Sequence, residues 1–282
     1  MQGGARKPPS LTDVNASGAR RASDVVPSVR TVPGFQLLRV VAQGGTGEVW
    51  EAEQHATGAH LAVKLIHRGE RWLERRLWRE GRVLRHLKHH PGIVRVYGMS
   101  KASDGTPALI MELLAGESLA ELLRREHRLP LEVVARIMLP VVRALAHAHE
   151  HGIVHCRVQP KKVFLCTSDG VKLLDFGVAK FTHGSERDVI GVDHRIDIYR
   201  LGLVMYEALT GIVPMPAMDV ASWMELLVTP AVPSLREAAP ALPTDIHQLI
   251  DRMVLRDRAA QLDDLGEAIE VLSRYDDEEP AA

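Results

Sequence analysis

The stretch "HCRVQPKKVF", residues His155 to Phe164, follows a helix-like segment, precedes a short apolar run and carries the basic side chains of Arg157 and Lys162. Its last lysine, Lys162, lies thirteen residues before Asp175. A carboxylate such as that of Asp175 can bind a metal ion, whereas the guanidinium of Arg157 stays protonated and cannot act as a general base. The sequence therefore raises the question whether this chain catalyses a reaction or only keeps the shape of a catalyst.

A strand-rich segment precedes a mostly helical one, and the two must position these residues. Short apolar runs with Gly or polar breaks predict strands, at 35–43, 47–54, 60–67, 93–100 and 107–114. After the third strand, apolar residues at roughly helical spacing predict a helix that ends at His90-Pro91-Gly92. From Glu117 helices predominate, with two short strands after the loop, at 162–166 and 171–175. We expect an α+β fold with a small strand-rich lobe and a larger helical lobe.

The composition excludes several classes of protein. The chain of 282 residues is 46% hydrophobic and has a formal net charge of -1, so no global field attracts nucleic acid or anionic membranes. Two cysteines, Cys156 and Cys166, make neither a disulfide framework nor a metal site. No apolar run is long enough to span a bilayer, and the first residues lack the apolar core of a signal peptide. We expect a cytoplasmic protein without a nucleic-acid partner.

Both ends of the chain differ in composition from its middle. Residues 1–33 are rich in Gly, Ala, Ser, Arg and Pro without a period, which predicts a disordered tail. Residues 276–282 are acidic and contain Pro, which predicts a frayed tail. The expected folded domain is 34–275, with an N-lobe at 34–113 and a C-lobe at 114–275.

Five motifs lie along these elements in one order. They are "VAQGGTGEVW", "LAVK", "HCRVQPKK", the triplet Asp175-Phe176-Gly177 and "DIYRLG" from Asp197. Together they resemble the Gly-rich loop, strand-three lysine, catalytic loop, metal-binding triplet and central helix of a protein kinase of the bacterial serine/threonine type, over about 35–273. The resemblance implies a bilobal protein-kinase-like fold. A Gly-rich loop alone would be weak evidence, whereas five motifs in the family's order are strong evidence.

The resemblance implies phosphate contacts in the strand-rich lobe. Gly44, Gly45 and Gly47 would let backbone N–H groups approach the phosphates of ATP, although a tight hairpin would also use them. Lys64 would contact the α- and β-phosphates, and Glu80 would anchor that lysine. In the other lobe, the carboxylate of the metal-binding triplet, Asp175, would hold Mg²⁺.

The resemblance also assigns the adenine pocket. Val49 and Ala62 match its roof, Met111 its gatekeeper, and Glu112 to Leu114 the hinge. Phe164 matches the floor, where the family usually has a smaller aliphatic residue. Its ring could stack on adenine or partly fill the pocket, and the sequence leaves both open.

At its three chemical positions, the catalytic loop departs from the family pattern His-Arg-Asp-Leu-Lys-Pro-x-Asn. Arg157 replaces the Asp that orients the substrate hydroxyl, Gln159 replaces the phosphate-contacting Lys, and Lys162 replaces the Asn that holds a second metal. Losing a general base typically costs about 10²–10⁴-fold in rate. Arg157 and Lys162 either contact phosphates in place of part of the magnesium charge, or they are tolerated after the chemistry was lost.

The segment after the triplet is also short. Only the 15 residues Val178 to Val192 separate Gly177 from Asp193, and the family's Ala-Pro-Glu motif is missing. The arginine that pairs with that Glu falls at Gln261. A buried charge without its partner is costly, so the absence of the Glu and the absence of its partner arginine are physically consistent with each other.

The resemblance implies that the skeleton of the site is kept. Asp197 should cap the backbone of the catalytic loop. His155, Phe176 and Leu84 should stack between the lobes.

We therefore favour a pseudokinase, a nucleotide-binding regulatory or scaffold module without normal phosphotransfer. The alternatives are an active serine/threonine kinase with an atypical loop, another transfer reaction on the same nucleotide site, and a scaffold that binds no nucleotide. For the pseudokinase and for the scaffold that binds no nucleotide, we expect a protein partner. The arginine-rich predicted helix, with Trp72 and Trp78, is either a solvated face whose aromatic residues partly pack on the strands or a docking surface for an acidic partner.

Overall fold

A computed structural model describes residues 30–87, 90–168, 170–181, 193–214 and 231–276. The strands are β1 (Phe35–Gly44), β2 (Gly47–Gln54), β3 (His60–Ile66), β4 (Val96–Lys101), β5 (Pro107–Glu112), β6 (Gly116–Ser118), β7 (Ile153–Val154), β8 (Val163–Cys166), β9 (Val171–Leu173) and β10 (Lys180–Phe181). The helices are α1 (Arg71–His86), α2 (Leu119–Glu126), α3 (Leu131–Glu150), α4 (Arg195–Thr210), α5 (Leu235–Ala238), α6 (Thr244–Met253) and α7 (Gly266–Asp276). A 3₁₀ turn covers Pro160–Lys162.

The N-lobe is one antiparallel sheet of five strands in the order β1-β2-β3-β5-β4, with α1 packed on it. The buried face of α1 includes Leu73, Leu77 and Leu84, at the spacing of successive helical turns. Gly81 allows a close approach to the sheet, because a Cβ at this position would lie 2.5 Å from the sulfur of Met99 in β4.

The C-lobe is built around α3, whose apolar residues face α4 and α7. Two small sheets, β6-β8-β9 and β7-β10, lie beside the helices and carry the loops of the site. The predicted α+β, bilobal protein-kinase-like fold, with an antiparallel N-lobe sheet and a helical C-lobe, is confirmed.

Backbone and side-chain bonds join the two lobes behind the cleft. Ile93, before β4, forms a parallel bridge with Leu173 of β9. Lys172 Nζ lies 3.0 Å from Glu112 Oε1, and the same oxygen accepts the Arg95 N–H at 2.7 Å. The hinge strand is therefore tied to both lobes by one carboxylate.

Four expectations need correction. Glu117 does not begin a helix: it lies in β6, and Ser118 caps α2 through its hydroxyl and the Glu121 N–H. The strands β7 and β10 were not predicted, because two residues each are too few to give a periodic signal. Trp72 and Trp78 are 56% and 44% exposed, so they lie outside the buried face of α1.

The fourth correction concerns the N-terminal boundary. Order begins before residue 34, because Val32 is buried and bridges to Phe35. Ser103 donates its N–H to the Thr31 carbonyl at 2.8 Å, which fixes this segment against the sheet. The rest of the predicted N-terminal tail, before residue 30, and residues 277–282 lie outside the described residues. In the part of the chain that is described, no helix has both the length and the apolar character needed to cross a membrane.

Candidate functional site: an interlobe phosphate-binding cleft

A buried ion pair connects the N-lobe sheet to α1. Lys64 of β3 donates to both carboxylate oxygens of Glu80, at 2.9 and 2.7 Å. Glu80 is on the buried face of α1 and is only 3% exposed. Burial alone would lower the pKa of Lys64, but the carboxylates of Glu80 and Asp175 raise it above its ordinary value. The expected pair is therefore present, and its ammonium group is charged.

Asp175 lies among three cationic side chains. Lys162 Nζ donates to Asp175 Oδ2, the Arg76 guanidinium lies 3.4 Å from the carboxylate, and Lys64 Nζ lies 3.7 Å from Oδ1. Burial raises the pKa of Asp175, but Lys64, Lys162 and Arg76 outweigh it and hold the pKa well below its ordinary value. The backbone of Asp175 has φ of 67°, in the left-handed region that Asp tolerates better than most residues.

This arrangement does not fit a magnesium ion. Mg²⁺ takes oxygen ligands in near-octahedral geometry. Around Asp175, the position of the family's Asn ligand holds Lys162, and the nearby carboxylate of Glu80 is already bound by Lys64. A divalent cation would have to displace an ammonium group and approach two further cations. The assignment of Asp175 as a metal ligand stays a prediction that its surroundings oppose.

Arg76 was missed in the sequence. It lies four residues before Glu80, one turn away on the same side of α1, and that spacing was the available signal. Gly177 makes room for it, because a Cβ at 177 would lie 2.7 Å from Arg76 Nε and 3.0 Å from Asp175 Oδ1. The glycine of the triplet therefore allows an arginine to reach its aspartate.

The glycines between β1 and β2 differ in what requires them. Gly47 has φ of 153°, and a Cβ there would lie 2.0 Å from the Leu65 carbonyl oxygen. Gly44 and Gly45 have no such φ, and a Cβ at either would meet nothing within 4 Å. The hairpin therefore explains Gly47 and leaves open space beside Gly44 and Gly45.

The predicted adenine-pocket residues lie where the lobes meet. Ala62 of β3 is buried opposite Met111 of β5. Val49 is half-buried in the neighbouring strand, β2. Phe164 of β8 is half-buried and pairs with Ser118 of β6, directly after the hinge.

The hinge lies between β5 and β6. The Glu112 N–H donates to the Arg95 carbonyl at 2.9 Å, and Leu114 packs partly buried against the main core. The structure thus brings the predicted strand and hinge residues together. Their contact with adenine stays a prediction.

The catalytic loop is held from below by a buried carboxylate. Asp197 of α4 accepts the N–H groups of His155 and Cys156 at 2.7 and 2.8 Å, as expected. Cys156 has φ of 64°, a conformation that these bonds stabilise. Arg157 follows directly, and its N–H donates to His155 Nδ1 at 3.2 Å.

The predicted column between the lobes is present in part. The rings of His155 and Phe176 lie 4.6 Å apart in an edge-to-face arrangement. Leu84 and Phe176 belong to the same buried cluster. The expected skeleton is therefore present around Arg157, which lies where the family resemblance predicts an Asp.

Gln159 presents a buried donor in the same loop. Its backbone carbonyl accepts the Lys162 N–H at 2.8 Å and closes the 3₁₀ turn. Its Nε2 is buried and has no hydrogen-bond partner in the described part of the chain. A buried amide without an acceptor is costly, so this group has unused capacity for an oxygen ligand.

Gln261 replaces the family's arginine without a charge. Its Nε2 donates to the carbonyls of Met253 and Arg195, at 2.9 and 3.2 Å. More exposed ion pairs lie nearby, where Arg195 contacts Asp263 and Arg258 contacts Asp193. The start of α4 is therefore joined to the segment before α7 by buried hydrogen bonds of a neutral amide and by ion pairs nearer the surface. Residues 182–192, in the short segment, lie outside the described residues.

A cavity of about 530 Å³ opens elsewhere, between the end of α3, β7 and the start of α4. Its lining includes His149, His151 and His194, and none of the predicted nucleotide-site residues. We assign it no role in the site described above.

A bilobal fold whose N-lobe lysine pairs with a helix glutamate, opposite an Asp-Phe-Gly triplet, defines a protein kinase architecture. Comparison with known families agrees: the model described as protein kinase domain matches residues 35–262. The chain therefore belongs to the protein kinase family.

Bacterial serine/threonine kinases are among its relatives. The serine/threonine-protein kinase PknA of Mycobacterium tuberculosis is 33% identical over 246 residues, which cover 78% of this chain and 55% of PknA. A probable serine/threonine-protein kinase of Clostridium perfringens is 30% identical over 237 residues, covering 77% of this chain and 33% of that protein. The serine/threonine-protein kinase PrkC of Bacillus subtilis is 28% identical over 246 residues, which cover 79% of this chain and 37% of PrkC. The chain thus spans between a third and about half of the length of these relatives.

Proposed function

We propose that this protein is a pseudokinase, a kinase-fold module that binds ATP in the interlobe cleft without normal phosphotransfer. The observation that carries the proposal lies in the catalytic loop. The Asp197 carboxylate accepts the backbone N–H groups of His155 and Cys156, and the next residue is Arg157. In the family this next position is the Asp that accepts or orients the substrate proton. A guanidinium stays protonated and cannot take that role. We assign the module to 34–275, together with the preceding segment from Thr31 that is bound to the sheet.

Several features support nucleotide binding within this proposal. Lys64 is charged and anchored by Glu80, as a phosphate contact requires. The space beside Gly44 and Gly45 would let phosphate oxygens approach the backbone N–H groups of the turn. The further contacts proposed for ATP are Gly47, Val49, Ala62, Met111, Glu112, Leu114 and Phe164.

The output of such a module would be the state of a protein partner. A nucleotide can bias a two-state equilibrium only through different affinities for the two states. The cleft between the lobes is the natural place for that difference, because Lys64 and Asp175 reach it from opposite lobes. A cytoplasmic location, expected from the composition, stays a prediction.

The second candidate is an active serine/threonine kinase. It is favoured by the intact pair of Lys64 and Glu80, and by the names of the relatives, which are serine/threonine kinases. Arg157 and Lys162 oppose it. In a third case the chain is a scaffold without nucleotide, with Phe164 filling the pocket.

The deciding experiment is a transfer assay on the full-length chain. Labelled ATP, with Mg²⁺ or Mn²⁺ and a basic protein substrate, is compared between the wild type and Lys64→Met. We expect no transfer and no autophosphorylation above the Lys64→Met background. Transfer by the wild type that Lys64→Met abolishes would establish the active kinase instead. Arg157→Asp alone should restore little, because the family's Ala-Pro-Glu motif is also missing.

Thermal unfolding with and without ATP distinguishes a nucleotide-binding module from a scaffold that binds no nucleotide. ATP at about 100 times its Kd adds about 2.7 kcal/mol to the free energy of unfolding, which raises Tm by roughly 5–10 °C for a domain of this size. An unchanged Tm at millimolar ATP would favour the scaffold.

A further inference from the structure

We infer that the cleft binds a metal-free polyphosphate, with the Lys162 ammonium in the place of a metal ion. This inference rests on the proposed nucleotide site and names the chemical form of its ligand. The family's use of a metal complex would not carry over to this chain, because the residues around Asp175 exclude the ion and supply its charge themselves.

The charge of the cluster is the first step. Lys64, Arg76 and Lys162 are held within 4 Å of a carboxylate, and the two carboxylates of the cluster are those of Glu80 and Asp175. The cluster therefore carries one net positive charge before any ligand arrives. All five side chains are mostly buried, so solvent screens this charge less than it would at the surface.

The second step is hydrogen-bonding capacity. A lysine has three N–H donors, and Lys162 uses one on Asp175 Oδ2. The Gln159 Nε2 is buried without an acceptor in the described residues. The same loop thus offers several donors for anionic oxygens, and a polyphosphate has only acceptors. The N-lobe adds open space beside Gly44 and Gly45, where a Cβ would meet nothing within 4 Å.

The third step is selectivity between free ATP and its magnesium complex. Free ATP keeps its full negative charge, whereas the complex brings a divalent cation towards Lys162, Arg76 and Lys64. Like charges at about 4 Å repel strongly in a partly buried site. We therefore expect free ATP to bind at least about tenfold more tightly than the magnesium complex.

The test is calorimetric titration of the full-length wild type with ATP, once in EDTA and once in excess Mg²⁺. Inorganic triphosphate and adenosine are titrated as probes for the phosphate and base contacts. The expected result is binding of ATP and triphosphate in EDTA, weakened at least about tenfold by Mg²⁺. Binding that requires Mg²⁺ would overturn this inference and leave the nucleotide site standing. No binding of ATP under either condition would overturn both.

Two variants locate the effect. Lys162→Asn removes the ammonium and supplies the family's metal ligand, and should lose the metal-free binding at least about tenfold while gaining a dependence on Mg²⁺. Lys161→Asn is the matched control, since Lys161 is an exposed lysine in the same 3₁₀ turn, and it should bind as the wild type does. Equal behaviour of the two variants would refute the role of Lys162. If Lys162→Asn does not fold, Lys162→Arg, which keeps the charge, should retain metal-free binding, and its loss would refute the charge argument.

Discussion

At the scale of single residues, the surroundings of Asp175 decide what its carboxylate can do. With an Asn as its neighbour, this carboxylate would bind a metal ion. With Lys162 as its neighbour, it accepts a hydrogen bond from the Lys162 ammonium. Lys64 and Glu80 keep the family's contact, so the strand and helix of the N-lobe are in the arrangement that supports phosphate binding. The residues that oppose a metal-dependent transfer, Arg157 and Lys162, both lie on the C-lobe side of the cleft.

Removing the charge of Glu80 should destabilise the fold. Glu80→Gln leaves the ammonium of Lys64 partly buried with only Asp175 nearby, at 3.7 Å. We expect a loss of about 3 kcal/mol in the free energy of unfolding, measured by urea denaturation. Glu74→Gln, on the first turn of the same helix, should change it by less than about 0.5 kcal/mol. Equal effects of the two substitutions would show that the pair does not stabilise the protein.

The glycine of the triplet should be sensitive to a single methyl group. Gly177→Ala places a Cβ within 3.1 Å of two Arg76 side-chain atoms and should cost about 1–2 kcal/mol of stability through displaced packing. Gly45→Ala, in open space, should change stability by less than about 0.5 kcal/mol. Thermal melts of both variants test this, and a neutral Gly177→Ala would mean that Arg76 relocates freely.

At the scale of elements, the start of α4 is held by a neutral amide, Gln261, at a position where the family resemblance predicts an arginine. Gln261 fills a buried position with a neutral amide and donates to two backbone carbonyls, one of them at the first residue of α4, Arg195. A neutral amide costs less to bury than an unpaired guanidinium. The element therefore keeps its place, and with it the Asp197 side chain that supports the catalytic loop.

Substitution of this amide should loosen α4. Gln261→Leu leaves the carbonyls of Met253 and Arg195 without their donor and should lower the free energy of unfolding by about 1–3 kcal/mol. Gln248→Leu, at an exposed position of α6, is the control and should be nearly neutral. A stabilised Gln261→Leu would show that these two bonds are not needed.

At the scale of the whole molecule, one buried histidine and two half-buried ones couple stability to pH. Burial lowers the pKa of His90, His155 and His194 below the ordinary value of 6.5. His155 is fixed as the neutral form, since its Nδ1 accepts the Arg157 N–H and its Nε2 faces the Leu174 carbonyl at 3.2 Å. The folded protein therefore binds fewer protons than the unfolded chain just below pH 6.5.

The sign of the pH dependence follows from that difference. Stability from these groups is fully present above pH 6.5 and is lost as the pH falls below it, because the unfolded histidines protonate first. Tm should be flat between pH 7 and 8 and fall between about pH 6.5 and 5. The carboxylates with lowered pKa, Asp175 and Asp197, add to the loss only at lower pH, below their ordinary value of 3.8. A Tm that rises on acidification to pH 5.5 would contradict this.

By itself, the sequence determined the fold and the register of its motifs. Short apolar runs with Gly or polar breaks predicted the five N-lobe strands within a few residues, and the family resemblance predicted the pairing of Lys64 with Glu80. Missing local signals explain the errors, such as the two-residue strands β7 and β10. Helical spacing could not tell which way Trp72 would point.

Only the tertiary structure decided how the charges of the cleft are paired. Arg76 lies 99 residues before Asp175 in sequence, and the thirteen residues between Lys162 and Asp175 do not by themselves fix a contact. The sequence offered Lys162 as a phosphate contact or a tolerated change, whereas the fold places it on Asp175. Packing of α1 on the sheet then brings Arg76 to the same carboxylate over Gly177. Long-range charge pairing depends on three-dimensional distance, which no local pattern encodes.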